Sequence, residues 1–329
     1  MRYKKNQKLM GNQFEISILA DDENFAYKTI DLAIEEISRI EKLFTTFSNE
    51  SITYQINENA GIQPVIVPSE VFNLIFRCQM ISKMTQGSFD ISYGSIDKRF
   101  WNFDINMNSL PDKELAEKSV ALINYENIIL NKNDQSIFLK NKGMRIGFGG
   151  IGKGYAAECA KNILIKNGIE SGIVNAAGDL TTWGFQEDGE PWTIGIADPN
   201  KKENIFSSFK ITNRSVATSG NYEKFVIIEG KKYSHTIDPK TGFPISGIKS
   251  VTIIAENAEL ADALATPVTV MGIKVGLDFI NQIPNVSCII IDDNGKGFEV
   301  SEVEKRRNSE SGMGLLFMNE RVQYINGRV

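Results

Sequence analysis

The 329-residue sequence is poor in the residues that usually announce a chemistry. It has one histidine, His235, so a multi-histidine metal centre is excluded. It has three cysteines, Cys78, Cys159 and Cys288, far apart and within apolar segments. They form no C-x-x-C pair, which argues against a thiolate metal site or a disulfide framework and predicts buried small hydrophobes. No apolar run approaches the roughly 18 residues of a membrane span. The start, MRYKKNQKLMGNQFEISIL, has basic residues but no apolar core ahead of a cleavage site, so no signal peptide is visible. As encoded, the expectation is a cytoplasmic protein; a periplasmic protein or inner-membrane lipoprotein trimmed of its export signal would look the same. Nor is there an excess of positive charge: the formal net charge is -5, which argues against a broad nucleic-acid surface.

What is there suits one large domain or two lobes with a real core: 42% of residues are hydrophobic and 23% charged. Phe14–Leu19 reads as a strand. Ile30, Ile34, Ile37, Ile40 and Phe44 recur at helical spacing, predicting an amphipathic helix from Phe25 to Phe44. Ser69 is the expected cap of a second helix running to about Thr85. Strands are expected near Asn127–Leu130, Ser136–Leu139, Gly172–Asn175, Trp192–Ile196, Lys224–Ile228, Ser250–Ala255 and Val286–Ile291. Helices are expected from the glycine loop at 147–154 to Asn167 and near Glu259–Met271. Irregular alternation with hairpin-like turns such as Glu229-Gly230 predicts an α+β fold rather than a strict parallel α/β sheet.

Several stretches carry chemistry. GFGGIGKG (Gly147–Gly154) satisfies G-x-G-x-x-G and nearly satisfies G-x-x-x-x-G-K-[ST], failing where Gly154 replaces the hydroxyl residue. Neither pattern finds its context. Asp179 lies beyond a second small-residue turn, not at the end of the next strand as a ribose-binding acid should, and the P-loop lacks its Mg²⁺-binding hydroxyl. A tight turn that permits close backbone packing is the plain alternative, although amides at a helix start favour anions and Lys153 adds a charge. On a helix, Glu259, Asp262 and Thr266 project from one face as hard oxygen ligands suited to Mg²⁺; complementing the helix dipole explains Glu259 well and Asp262 only in part. His235 stands three residues before Asp238 in the turn-rich YSHTIDPKTGFP, where structural and catalytic roles both remain open. NAAGDLTTWG, VATSGNYEK and QGSFDISYG look like loops between apolar strands, and together they point to a site built from many loops.

In order, LMGNQFEIS, TTFSNESITYQIN, GSFDISYG, GGIGKGYA, NAAGDL, VATSGNYEKF, HTIDPKTGFP and ADALATPVTVMG resemble the ApbE family, the FAD:protein FMN transferases, over roughly Lys8 to Asp292. The resemblance implies a two-lobed, T-fold-related α+β architecture over residues 1–291, with mixed or antiparallel sheets flanked by helices, FAD as substrate in a cleft between the lobes, and Mg²⁺ on its pyrophosphate. It implies Asp262 and Thr266 as metal ligands, Glu259 as a helper, and the Gly150 carbonyl completing the metal site. It implies Met10, Phe47, Asp90, Ile91, Ser92, Gly147, Lys153 and Ile237 lining FAD, and His235 deprotonating or positioning the hydroxyl of an acceptor flavoprotein. Phe47 stands where the family often has Tyr, Ile146-Gly147 where it has an Asp before the glycine loop, and Asn12 where it has Thr. The implied reaction is FMN transfer from FAD to a Ser or Thr hydroxyl with release of AMP; hydrolysis of FAD to FMN and AMP, or flavin binding without catalysis, are the alternatives. Residues 292–329 instead resemble nucleotide-binding boxes of a sensor histidine kinase, Asp293-x-Gly295-x-Gly297 and Gly312-x-Gly314, cut short at Val329. They are expected to form an appendage with a helix near Met313–Tyr324, incapable of binding ATP unaided.

Overall fold

The computed structural model describes residues 1–97, 99, 107, 109–198, 201–220, 225–228 and 231–292, with backbone alone at 198, 201–206 and 231–232. The expected helix at Met313–Tyr324 and the kinase-like boxes therefore lie outside the described residues, as do Asn221–Lys224 and the turn Glu229-Gly230. The described residues fall into two compact units. Unit 1 takes those of Met1–Ser38, Lys153–Tyr222 and Gly247–Val329; unit 2 takes those of Arg39–Gly152 and Glu223–Ser246.

Unit 1 is organised by a seven-stranded sheet of β1 (Arg2–Leu9), β2 (Asn12–Leu19), β3 (Gly172–Ala176), β4 (Asp179–Trp183), β5 (Ser215–Gly220), β6 (Ile248–Ala255) and β7 (Ser287–Asp292). Spatial order equals chain order and every pairing is antiparallel. β1 escaped the sequence reading because RYKKNQKL is mostly exposed: it is an edge strand whose lysines discourage pairing with another chain. The turn Met10-Gly11, with both φ values positive, sets its register on β2. NAAGDLTTWG is not a loop; it is the end of β3, a two-residue turn at Ala177-Gly178, and β4. VATSG is likewise strand β5.

Four helices lie in unit 1 or run into it: α1 (Glu23–Phe44), whose residues from Arg39 on belong to unit 2, α2 (Gly152–Lys166), α3 (Ala258–Met271) and α4 (Ile273–Ile280). The periodic face of α1 is buried at Ile30, Ile37 and Ile40. One face of the sheet presents Ile173, Leu180, Val216, Ile254 and Ile289 to Trp192, Ile194 and Ile196 and to Phe209 and Ile211 of the hairpin Trp192–Asp198/Lys201–Ile211. α3 packs on β4, β5 and β6. Asn257 caps α3 by accepting the Leu260 amide at 2.8 Å. Pro267 sits inside α3, which runs on to Met271.

Unit 2 holds the helix Ser69–Met84 and a three-stranded antiparallel sheet ordered Val65–Ile66, Ser136–Leu139, Ile128–Asn131. Ser69 is not the cap of its helix. Pro68 occupies that position, its fixed φ suiting a helix entry, and the Ser69 hydroxyl bonds Gln135 Oε1 at 2.9 Å instead. Strands Phe225–Ile228 and Lys231–Ser234 pair as a hairpin, as the sequence predicts. No disulfide joins the three cysteines. Cys78 and Cys288 are buried, and burial pushes the Cys288 thiol up to about 12. Cys159, on α2, is only half-buried, contrary to expectation. Among the described residues no helix is long and apolar enough to cross a membrane.

Candidate active site

Within unit 1 the first turn of α2 meets β4, β5 and α3 at a buried group of charges. Lys153 forms an ion pair with Asp179, the first residue of β4, whose side chain is 3% exposed. The other Asp179 oxygen accepts the Thr218 amide at 3.3 Å. Asp262, 6% exposed, accepts the Gly154 amide at 2.9 Å. Burial, and then the Asp179 carboxylate, push the Asp262 carboxyl up to about 7, against the opposing pull of the Lys153 ammonium and the amides of Gly154 and Lys153. Two nearly enclosed carboxylates thus share one ammonium, whose side chain is 27% exposed. Glu259 and Thr266, both half-buried, lie on α3 three residues before Asp262 and four after it. Among the described residues, no three His, Cys, Asp or Glu side chains converge as a metal-binding group.

Gly154 explains why this assembly is possible. A Cβ there would stand 2.1 Å from the Ala258 carbonyl oxygen and 2.7 Å from the Asp262 Cβ. The two helix starts touch backbone to backbone, and the Gly154 amide reaches Asp262 only because nothing projects between them.

Unit 2 holds the remaining candidates. Phe47 is 92% exposed, a bare aromatic ring at the end of the Thr45–Phe47 turn. Asp90 and Ser92, expected to line FAD, spend their side chains on the scaffold. Asp90 accepts the Ser92 amide at 2.7 Å, the Ser92 hydroxyl at 2.6 Å and the Tyr125 amide at 2.7 Å, while the Ser92 hydroxyl accepts the Asn124 amide at 2.9 Å. Burial raises the Asp90 carboxyl, with those bonds opposing it. The backbone of this turn meets the glycine loop: the Gly147 amide donates to the Ile91 carbonyl at 2.9 Å. Asn57 grips the preceding residue, Ile146, with its amide group at 3.0 Å and 2.7 Å. Gly150 lies in the tight turn that leads to α2, the Gly152 amide closing onto the Phe148 carbonyl at 2.6 Å.

His235 is half-buried at the mouth of the turn-rich loop. Ile237, two residues on, is 1% exposed and packs with Ala116 and Val120, and its amide donates to the Tyr93 hydroxyl at 3.1 Å. Any ligand contact from Ile237 is thus through its main chain. Asp238 folds the loop itself, accepting the Lys240 amide at 2.9 Å and the Thr241 hydroxyl at 3.1 Å. Met10 occupies the strained β1–β2 turn of unit 1 with φ 51°. The candidates are therefore divided: Met10, Lys153, Glu259, Asp262 and Thr266 belong to unit 1, and Phe47, Asp90, Ile91, Ser92, Gly147, Gly150, His235 and Ile237 to unit 2. Asp179 was missed as a site residue; its only sequence signal was an acid directly after the small-residue turn.

The family model described as the ApbE family matches residues 10–290. The chain belongs to the ApbE family. A relative from Klebsiella pneumoniae (strain 342), named FAD:protein FMN transferase, is 30% identical over 294 residues, covering 89% of this chain and 90% of its own length. One of the same name from Escherichia coli (strain K12) is 26% identical over 298 residues, covering 89% and 84%. Among solved structures, the ApbE protein of Thermotoga maritima superposes with a TM-score of 0.83 at 29% identity, covering 94% of this chain and 100% of its own. The α+β architecture with antiparallel sheets is thus that of the ApbE family.

Proposed function

We propose that this ApbE-family chain transfers FMN from FAD to a Ser or Thr hydroxyl of an acceptor flavoprotein, with Mg²⁺ as its metal. The observation that carries the reading is the buried Asp179–Lys153–Asp262 group, which holds one more carboxylate than its single ammonium can balance. A divalent cation fits that imbalance, and Asp262 with Thr266 would hold it, helped by Glu259. When bound it supplies charge neutralisation and Lewis acidity at a pyrophosphate. Lys153, now paired with Asp179, would meet a phosphate oxygen once Asp179 shares its charge with the cation. In the transfer, the acceptor hydroxyl oxygen bonds the FMN-side phosphorus, the pyrophosphate P–O bond breaks, and AMP leaves with the electron pair. The hydroxyl proton goes to a base, and His235 is the candidate.

The direct test incubates the protein with FAD, Mg²⁺ and a candidate acceptor, then measures AMP and an FMN mass increase on the acceptor. AMP with free FMN would mark a hydrolase, and FAD bound but unconsumed a carrier. His235→Ala is expected to slow transfer by about 10²-fold or more while leaving FAD affinity unchanged. Wild-type turnover by that variant would remove histidine from the mechanism.

Proton competition gives a second expectation. Because the Asp262 carboxyl is raised to about 7, a cation that binds its ionised form must displace a proton below that pH. Apparent Mg²⁺ affinity should be flat above pH 8 and fall by about tenfold per pH unit below 7. A thermal-shift titration with MgCl₂ at pH 5.5 to 8.5 reads this directly. An affinity independent of pH across that range would place the cation elsewhere.

A further inference from the structure

We infer that Glu158 and Lys161, on α2, are positioning residues that set the cation affinity of this site; the inference rests on the cation reading above. Neither touches Asp262 or Asp179. Each grips the element that carries one of them. Glu158 Oε2 accepts the amide of Ala258, the first residue of α3, at 3.0 Å. Glu158 Oε1 accepts from the Lys161 ammonium at 2.6 Å, and that ammonium reaches the Thr181 hydroxyl on β4 at 3.3 Å. The Ser215 hydroxyl of β5 closes the chain on Thr181 at 2.9 Å. Thr181 and Ser215 are fully buried, and the Lys161 and Glu158 side chains are 13% and 18% exposed.

The spacing shows what the network fixes. Gly154, Glu158 and Lys161 fall at i, i+4 and i+7, on one face of α2. Gly154 binds Asp262 directly; Glu158 anchors the start of α3 one turn before Asp262; Lys161 anchors Thr181, two residues beyond Asp179 and on the same face of β4. A single helix face thereby sets the relative placement of the two carboxylates. An ion pair this enclosed holds geometry more firmly than a surface pair, because both partners also bond fixed main-chain or hydroxyl groups. Partners that orient metal ligands without touching the metal change its affinity when removed.

The experiment follows the thermal midpoint of the full chain, at a fixed FAD concentration, across a MgCl₂ titration. Wild type is compared with Glu158→Ala, Glu158→Gln, Lys161→Met and Ile37→Val, the last a buried change on α1 that lowers stability without touching the Glu158–Lys161 hydrogen bonds. Glu158→Ala is expected to raise the Mg²⁺ midpoint by about tenfold or more, with Lys161→Met shifting it in the same direction. Glu158→Gln keeps an oxygen for the Ala258 amide and is expected to recover most of the wild-type affinity. An unshifted midpoint in Glu158→Ala, or an equal shift in Ile37→Val, would overturn the inference alone. A wild-type protein that shows no Mg²⁺ response would overturn the cation reading, and this inference with it.

Discussion

Asp262→Asn is expected to abolish Mg²⁺-dependent FMN transfer while making the metal-free protein more stable. The two effects have one cause. In the folded chain burial, and then the nearby Asp179 carboxylate, raise the Asp262 carboxyl from 3.8 to about 7. A folded pKa above the unfolded one means that folding favours the protonated acid. The stability this contributes is fully present below about pH 4 and is lost as pH rises through 7. Asparagine keeps an oxygen for the Gly154 amide but carries no charge, so the variant should match wild type near pH 4 and exceed it by on the order of 4 kcal/mol at pH 8. The same neutral amide is a poor partner for a divalent cation, so AMP release with FAD, Mg²⁺ and acceptor should fall by about 10³-fold. Thr266→Ala, which removes a neutral ligand, should cost less. Urea unfolding at pH 4 and 8, beside AMP release, reads both arms. Undiminished transfer by Asp262→Asn would put the metal site somewhere else, and a loss of stability at pH 8 would show that the carboxylate is already compensated.

The elements the sequence made legible are those whose burial is one-sided and apolar. The isoleucines of α1 and the run Val286–Ile291 betray a face or a buried strand by periodicity and composition alone. β4 and β5 did not show themselves because both their faces are buried and the residues toward α2 are mostly small and polar. Asp179, Thr181 and Ser215 face α2 and its charged side chains, so no hydrophobic alternation marks them. For the same reason Asp179 passed for a turn residue; only its enclosure beside Lys153 reveals it. Glu259, Asp262 and Thr266 could be grouped from helical spacing, because α3 forms where expected. Asp90 and Ser92 show the opposite limit. Their types suit ligand binding, yet their oxygens are taken by the amides of Ser92, Asn124 and Tyr125, a fact that depends on tertiary placement. Any ligand contact at that turn would come from main chain, and sequence letters do not encode that.

Gly154→Ser is the sharpest test of how the glycine loop works. The change completes the letters G-x-x-x-x-G-K-S, and a P-loop would gain from it a hydroxyl for Mg²⁺. Here the outcome should be the reverse. The new Cβ would meet the Ala258 carbonyl oxygen at 2.1 Å, its carbon at 2.7 Å and the Asp262 Cβ at 2.7 Å, and the first two are helix backbone that cannot swing aside. α2 and α3 must separate, which stretches the Gly154–Asp262 hydrogen bond and the Glu158 anchor on Ala258 together. Overpacking at so enclosed a point should cost about 3 kcal/mol or more. Gly154→Ala should cost nearly as much, since the first carbon alone makes the clash. Chemical denaturation measures the loss, and a Mg²⁺ titration of whatever remains folded should show weakened binding in both variants. If Gly154→Ser kept wild-type stability and bound Mg²⁺ more tightly, the loop would be a P-loop one hydroxyl short. If both substitutions fail alike, the glycine is there because the Asp262 helix needs the space.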